Sequence, residues 1–409
     1  MLDKDKLALF GYGKTTKAIA KLLGGSCTFF DDNTLEPKTD ELNNKILPSK
    51  EFNPNSFNLE IATPSMHPNN HLVKSAKNLI SEYDFFLSNY YNTNKKPLNI
   101  WISGTNGKTT TTQMTTHLLK EKGALSGGNI GTPLAELNPN APIWILETSS
   151  FTLHHTKEAT PNIYMLLPIT PDHLDWHGNS QNYIADKLSP LTRMAEGELA
   201  LVPKGLPLPQ TDAWVVEYED VEDLAKQFDI DISKIKFKGA FLLDSLFALI
   251  ATKVLFDETN YNLINSFIVD AHRQEELRDS KNRLWINDSK ATNIDATIQV
   301  VKLYKDKKIH LILGGDDKGV DLSELFEFLK DLNLTIYAIG SNTNKLMDLA
   351  KKYNINAKAN YELQNAMHCI NKAHTANDVA ILAPAASSLD QFSSYAKRGD
   401  DFKNFVKSI

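Results

Sequence analysis

The sequence predicts an α/β chain of three domains, each built on a parallel sheet. Short apolar runs alternate with helical patterns along all 409 residues, and polar, non-periodic stretches divide them into three blocks. The third observation is local. An apolar run at 98–102 breaks into Ser103-Gly104-Thr105-Asn106-Gly107-Lys108-Thr109-Thr110 and then into a helical pattern at 111–122. Strand, glycine turn and helix in that order make a cradle for nucleotide phosphates. The glycines let backbone N–H groups turn inward and the helix start offers its positive end. Lys108 adds a mobile charge, and the Thr109 hydroxyl is a magnesium ligand. ATP is therefore the first ligand to expect.

The first block opens with an apolar run at 7–10, a Gly11-Tyr12-Gly13 turn and a helix over 15–23, followed by strands at 28–30 and 59–62. The polar stretch 89–97 reads as a linker. In the second block the phosphate loop is followed by strands at 142–146, 163–167 and 199–203 and a helix near 183–194, and the block ends near Val269-Asp270. The third has strands at 283–286, 309–313, 335–339 and 379–382. These readings set domain boundaries at 1–92, 93–270 and 271–409, with no internal repeat and no low-complexity tract.

Composition excludes several classes. With 44 Lys and Arg against 50 Asp and Glu the net charge is −6, which favours adhesion neither to nucleic acid nor to an anionic membrane. The two cysteines, Cys27 and Cys369, are too few for a disulfide framework or a thiolate zinc site and suit a reducing compartment. The charged start at 1–6 leads into only four apolar residues, and no run approaches a bilayer span. A cytoplasmic, monomeric enzyme with no nucleic-acid or membrane partner is expected.

Ligands of open parallel sheets bind beyond the carboxyl ends of the strands, so the polar residues after each apolar run come first. Glu147 follows one such run and could bind magnesium, or could be a solvated strand-end acid. His173, in Pro168-Ile169-Thr170-Pro171-Asp172-His173, follows another strand of the same block. A lone histidine is usually structural, but its place at a third strand end favours a functional role. Asn129, between glycines, suits either a substrate contact or a turn. In the third block, 286–293 and 313–318 each pair a carboxylate with a lysine after a strand, which suits an anionic ligand with a metal or phosphate. After the last strand, Pro384-Ala385-Ala386-Ser387-Ser388-Leu389-Asp390-Gln391-Phe392 reads as a helix start whose free N–H groups hold a carboxylate, or as a plain helix capped by Ser387 or Ser388.

The phosphate loop with its late leading glycine, the segment Ile286-Asn287-Asp288-Ser289-Lys290-Ala291-Thr292-Asn293 and the segment 388–392 together resemble the Mur ligases of peptidoglycan synthesis, over all three blocks. The resemblance implies a UDP-binding Rossmann-like domain, a central P-loop ATPase-like sheet and a C-terminal Rossmann-like amino-acid-binding domain. It implies an ATP-dependent amide ligase that adds D-glutamate to UDP-N-acetylmuramoyl-L-alanine through an acyl phosphate. Gly104, Thr105, Asn106, Gly107, Lys108, Thr109 and Thr110 would bind ATP, with Lys108 and Lys290 on its phosphates and Arg273 and Asp288 on its nucleoside. Two magnesium ions are implied, one on Thr109 and Glu147, the other on His173 and a carbamoylated Lys187. A cationic or neutral lysine cannot ligate magnesium, whereas a carbamate oxygen can. UDP would lie against Gly11, Gly13, Lys14, Thr15, Asp31, Asp32, Asn33, Thr63, Pro64, Ser65 and Met66, the muramoyl portion against Asn129. D-glutamate would lie against Thr292, Lys318, Ser388, Leu389 and Tyr395.

Three positions depart from that pattern. The Gly-x-His-Asn-x-x-Asn segment of the family reads Gly239-Ala240-Phe241-Leu242-Leu243-Asp244-Ser245, position 33 is Asn in place of an arginine, and Ser65-Met66 lacks a glycine. Lys14 could supply the charge missing at 33. Another Mur ligase or a folylpolyglutamate synthetase would share the phosphate loop and magnesium residues, but 388–392 and the dinucleotide-like first block argue against both. An NAD-dependent dehydrogenase would share Gly11-x-Gly13 and the acids at 31–32, yet Thr16 stands where its third glycine belongs. A regulatory ATPase would hydrolyse ATP without an amino acid.

Overall fold

The protein is described from a computed structural model that covers residues 3–88, 90–91 and 96–409. Most of the stretch read as a linker, and the boundary at 92/93, lie outside the described residues. Three six-stranded sheets follow one another along the chain. The first comprises β1 (Leu7–Phe10), β2 (Thr28–Asp31), β3 (Lys38–Thr39), β4 (Lys45–Pro48), β5 (Leu59–Ala62) and β6 (Leu79–Ile80), in the order β3-β4-β2-β1-β5-β6. The second comprises β7 (Leu98–Ser103), β8 (Ala124–Gly128), β9 (Ile143–Glu147), β10 (Ile163–Leu166), β11 (Leu199–Pro203) and β12 (Trp214–Tyr218), ordered β12-β11-β10-β7-β9-β8 and parallel throughout. The third comprises β13 (Glu275–Arg278), β14 (Leu284–Asn287), β15 (Ile309–Gly314), β16 (Leu334–Ile339), β17 (Asn356–Tyr361) and β18 (Val379–Leu382), ordered β13-β14-β18-β15-β16-β17. By contacts the chain divides into two compact units, Met1–Phe267 and Ile268–Ile409. Among the described residues no helix is long and apolar enough to cross a membrane.

The apolar runs that signalled strands form the buried centre of each sheet: β1, β5, β9, β10, β14, β15 and β18 are buried along their whole length. The strands absent from the sequence reading are β3, β4, β6, β8, β12, β13 and β17. All but β4 are sheet edges, and four of these, β3, β12, β13 and β17, are largely exposed, so they carry no continuous apolar run; β17 reads Asn-Ala-Lys-Ala-Asn-Tyr. The edge strands β3 and β13 run antiparallel, a departure from wholly parallel sheets. The helix after the phosphate loop spans Lys108–Leu119, not 111–122, because Gly107 in the left-handed region ends the turn and starts the helix at once. The residues Lys120–Lys122 tighten into a 3-10 turn. No helix starts at Ser387 or Ser388. Ser387 pairs with Asp316 in an isolated bridge, residues 388–392 form a turn, and the last helix, Tyr395–Ser408, is capped by Ser394.

One short helix, Glu82–Leu87, joins the first two sheets. Its N-cap Ser81 and Asp84 bond reciprocally. The wholly buried Asp84 carboxylate also accepts N–H bonds from Lys157 (2.9 Å), Glu158 (2.8 Å) and Ala159 (2.8 Å). Tyr83 packs edge-on to Trp101, and its hydroxyl lies 3.2 Å from the Glu147 carbonyl. Apolar residues of both sheets form one continuous core.

Glu82 is buried beside these groups, and its Oε1 accepts from Leu134 N at 2.7 Å. Burial pushes its carboxyl up to about 8, against an ordinary 4.5. Below pH 4.5 both folded and unfolded chains hold the proton and the site costs nothing. Between about 5 and 8 only the folded chain keeps it, so stability falls as pH rises. The expected result is that Glu82→Gln removes this loss, up to ~1.4 kcal/mol per pH unit, when urea unfolding of the two proteins is compared at pH 5, 7 and 8. Parallel curves for the two proteins would refute it.

Candidate active site

The phosphate loop leaves β7 at Ser103. Gly104 and Gly107 both have positive φ, +139° and +85°. A Cβ on Gly104 would lie 2.5 Å from the Leu167 Cβ, and one on Gly107 would lie 2.6 Å from Asp244 Oδ1, so neither position admits a side chain. Thr105 is held by its hydroxyl to the Thr170 carbonyl (2.8 Å) and to the Tyr183 hydroxyl (3.0 Å). Lys108 folds back over the loop, its Nζ donating to the carbonyls of Gly104 (2.9 Å) and Thr105 (2.7 Å). Thr109 stands half-buried in the first turn.

A second lysine reaches the same carbonyl. Lys187, 1% exposed on the helix Ser180–Leu188, donates from Nζ to Gly104 O at 2.9 Å and Ser103 Oγ at 3.3 Å. Burial, and then the charge of Lys108, hold its ammonium well below its ordinary value. The neutral amine so favoured is the form that adds carbon dioxide. Glu147 ends β9, the strand beside β7, in register with Ile102. Its Oε1 accepts from Asn129 Nδ2 at 2.5 Å, while its buried Oε2 has no hydrogen-bond partner among the described residues. His173, in a left-handed turn (φ 51°), is half-exposed, and its ring lies 4.8 Å from Phe151.

A buried carboxylate oxygen lacking a donor fits a cation, and the Thr109 hydroxyl could supply a second oxygen. No group of three or more His, Cys, Asp or Glu able to hold a metal occurs among the described residues. His173 and Lys187 offer only nitrogens as they stand, and fit magnesium only once Lys187 carries a carbamate.

In the first sheet, Gly11 (φ +81°) turns the chain so closely under Thr63 that a Cβ would meet it at 2.8 Å, and Gly13 starts the helix Lys14–Leu22. Asp31 accepts from Tyr12 N (2.9 Å) and Asn33 N (3.0 Å), and Asp32 from Asn70 Nδ2 (2.7 Å). Lys14 donates to the Gly131 carbonyl, which brings the glycine turn of Asn129 to the same edge. The 63–66 turn is tied to the second sheet by Trp176 Nε1 on Ser65 O (3.1 Å) and His155 Nε2 on Met66 O (3.0 Å).

The C-terminal unit gathers its own cluster at the strand ends of β14, β15 and β18. Asp288 is buried, which pushes its carboxyl up to about 7 against the opposing pull of the Gln274 backbone bond and the Arg273 charge. Lys290 Nζ lies 4.2 Å from the centre of the Tyr395 ring. Lys318, Thr292, Leu389 and Tyr395 are exposed, whereas Ser388 is buried. Asp317 pairs with Lys345 (2.8 Å), not with Lys318.

Several residues that build these sites escaped sequence reasoning. Asp244 bonds Thr111 Oγ1 at 2.8 Å beneath the phosphate loop. Its signal was an acid inside the apolar helix Ala240–Phe256, within the segment lacking the expected His-Asn. Arg398, 1% exposed, donates to Ser289 Oγ (3.0 Å), Ser289 O (3.0 Å) and Ala386 O (3.2 Å), fixing the loops around Lys290 and Ser388. No local signal marks it.

The Mur ligase middle domain family matches residues 102–217. The chain is 53% identical over 407 residues to a UDP-N-acetylmuramoylalanine–D-glutamate ligase of Campylobacter jejuni, covering 99% of this chain and 100% of that protein. It is 44% identical to the Helicobacter pylori ligase of the same name, with 98% and 99% covered. Among solved structures it resembles the MurF ligase of Thermotoga maritima in complex with ADP, at 15% identity and a TM-score of 0.59 over 93% of this chain and 94% of that one.

Proposed function

This chain belongs to the Mur ligase family, and we propose that it joins D-glutamate to UDP-N-acetylmuramoyl-L-alanine at the expense of ATP, in peptidoglycan precursor synthesis. The observation that carries the ATP chemistry is the convergence of Lys108 and Lys187 on the Gly104 carbonyl, in a sheet where β9 ends in an unsatisfied Glu147 oxygen. The full-length likeness to the D-glutamate ligases supports the choice of amino acid.

The reaction runs in two displacements. The substrate carboxylate attacks the γ-phosphorus of ATP and releases ADP, giving an acyl phosphate. The D-glutamate amine then attacks the acyl carbon and phosphate leaves. Residues 104–110 present N–H groups and the Lys108 charge to the triphosphate. Two magnesium ions, when bound, offset the charge of the two anions that must meet. Thr109 and Glu147 would hold one, His173 and carbamoylated Lys187 the other. Gly11, Gly13, Lys14, Thr15, the 31–33 strand end and the 63–66 turn take UDP, and Asn129 the muramoyl group. In the C-terminal unit, Arg273 and Asp288 take the nucleoside, Lys290 phosphate, and Thr292, Lys318, Ser388, Leu389 and Tyr395 D-glutamate. We keep the domain boundaries at 1–92, 93–270 and 271–409, and assign the enzyme to the cytoplasm as a monomer.

The test is phosphate release from ATP with UDP-N-acetylmuramoyl-L-alanine and D-Glu, L-Glu, L-Lys or no amino acid. Release with D-Glu alone is expected. Turnover that prefers another acceptor would overturn the assignment, and release without any would make the protein an ATPase.

A further inference from the structure

Three short helices surround the residues read above as magnesium ligands: Ser150–His155 follows Glu147, Leu174–His177 follows His173, and Ser180–Leu188 carries Lys187. One imidazole is bonded to two of them and belongs to the third. His177 Nδ1 lies 2.7 Å from Asp186 Oδ2, and its Nε2 lies 3.0 Å from Ser150 Oγ. A carboxylate only accepts, so Nδ1–H donates to Asp186 and Nε2 accepts from the Ser150 hydroxyl. His154 places its Nδ1 3.0 Å and 3.1 Å from the two oxygens of Asp186. The His177 carbonyl accepts from Asn182 Nδ2 at 2.9 Å, and its ring stacks on Phe151 at 5.7 Å and 11°.

Ser, His and Asp in this bonding order have the form of a nucleophilic triad, but Ser150 is 4% exposed and the His177 side chain not at all, so no substrate carbonyl reaches the hydroxyl. Their place in the chain points elsewhere. Ser150 is three residues after Glu147, and Asp186 immediately precedes Lys187. Neighbouring residues on a helix point about 100° apart. The bond of Asp186 to His177 therefore sets the rotation that aims Lys187 at Gly104, and the bond of Ser150 to the same ring ties that rotation to the end of β9.

We propose that His177 is a positioning residue, which through Asp186 and Ser150 fixes Lys187 relative to Glu147. The proposal rests on the reading of Lys187 and Glu147 as magnesium-holding residues. The test uses the full-length enzyme with His177→Phe, Ser150→Ala and Lys187→Ala. For each, three quantities are read: the magnesium concentration giving half-maximal rate, KM for D-glutamate, and the carbamate resonance of enzyme equilibrated with isotope-labelled bicarbonate.

In His177→Phe the half-activating magnesium concentration should rise about 10–100-fold, as it does when outer-shell partners of metal ligands are lost. The carbamate resonance should weaken while KM for D-glutamate holds. Ser150→Ala removes one hydroxyl and should move the same readouts in the same direction by less. If His177→Phe does not fold, Ser150→Ala decides alone. Wild-type magnesium dependence and carbamate signal in a folded variant overturn the proposal while leaving the ligand reading intact, provided Lys187→Ala shifts both. If Lys187→Ala shifts neither, the ligand reading falls and takes the proposal with it.

Discussion

Lys187→Ala is expected to lower kcat by about a thousandfold or more, the scale seen when a member of a reacting constellation is removed, and added acetate or formate should restore part of it. The wild-type amine is enclosed by Ser103, Gly104 and the ring of Tyr183, and its proton is disfavoured by burial and by Lys108. A lysine kept this way as a permanent cation would gain nothing from its site, because desolvation opposes the charge. As a carbamate it would be an anion able to pair with magnesium. Truncation leaves a hole into which a short carboxylate fits, whereas Lys187→Arg keeps a cation there and should be inactive with or without acetate. The check is kcat at saturating substrates across a carboxylate titration. Alanine activity within a factor of ~10 of wild type would remove Lys187 from the chemistry.

The second large effect concerns folding. Arg398→Ala should destabilise the C-terminal unit by about 3 kcal/mol or more, since it strands the carbonyls of Ser289 and Ala386 in a buried site, removes a donor from the Ser289 hydroxyl, which keeps its own bond to the Tyr395 carbonyl, and leaves a cavity. Arg398→Lys should recover less than half, because one ammonium cannot reproduce the planar fork that spans three acceptors. Trp285 is the only tryptophan after residue 267 and is fully buried, so its fluorescence reports this unit. The urea midpoint from Trp285, read in a variant with the other four tryptophans replaced by phenylalanine, should fall in Arg398→Ala. An unchanged midpoint would mean that the three acceptors find other donors.

What was legible in the sequence is what the chain encodes locally. The phosphate loop is a strand, a glycine turn and a helix in one unbroken run from Leu98 to Leu119, and each part carries its own signal. The buried central strands announced themselves as apolar runs. Most edge strands did not, because polar residues facing water interrupt them, and the buried edge β6 is only two residues long. The last helix was misplaced for another local reason. Serines stand at 387, 388, 393 and 394, all are competent caps, and nothing in their local sequence singles out Ser394, which caps the helix whose first turns bury Arg398. The supporting residues of the sites were illegible because their partners lie far off in the chain. Asp244 meets Thr111 across 133 positions, Arg398 meets Ser289 across 109, and Tyr83 meets Glu147 across 64. Periodicity and spacing carry no record of such pairs.

The Asp84 carboxylate has a consequence for the modularity of the chain. The sequence suggests a cassette at 1–92, yet its last helix delivers a carboxylate to three backbone donors of the loop that leads into β10. A gene fragment that stops at residue 88 would export a charged side chain and an apolar flank with nothing to meet them. One that starts after it would leave those donors bare. Swapping the first block between related enzymes therefore demands that the graft point fall beyond Ala159, or that the recipient bring its own acid.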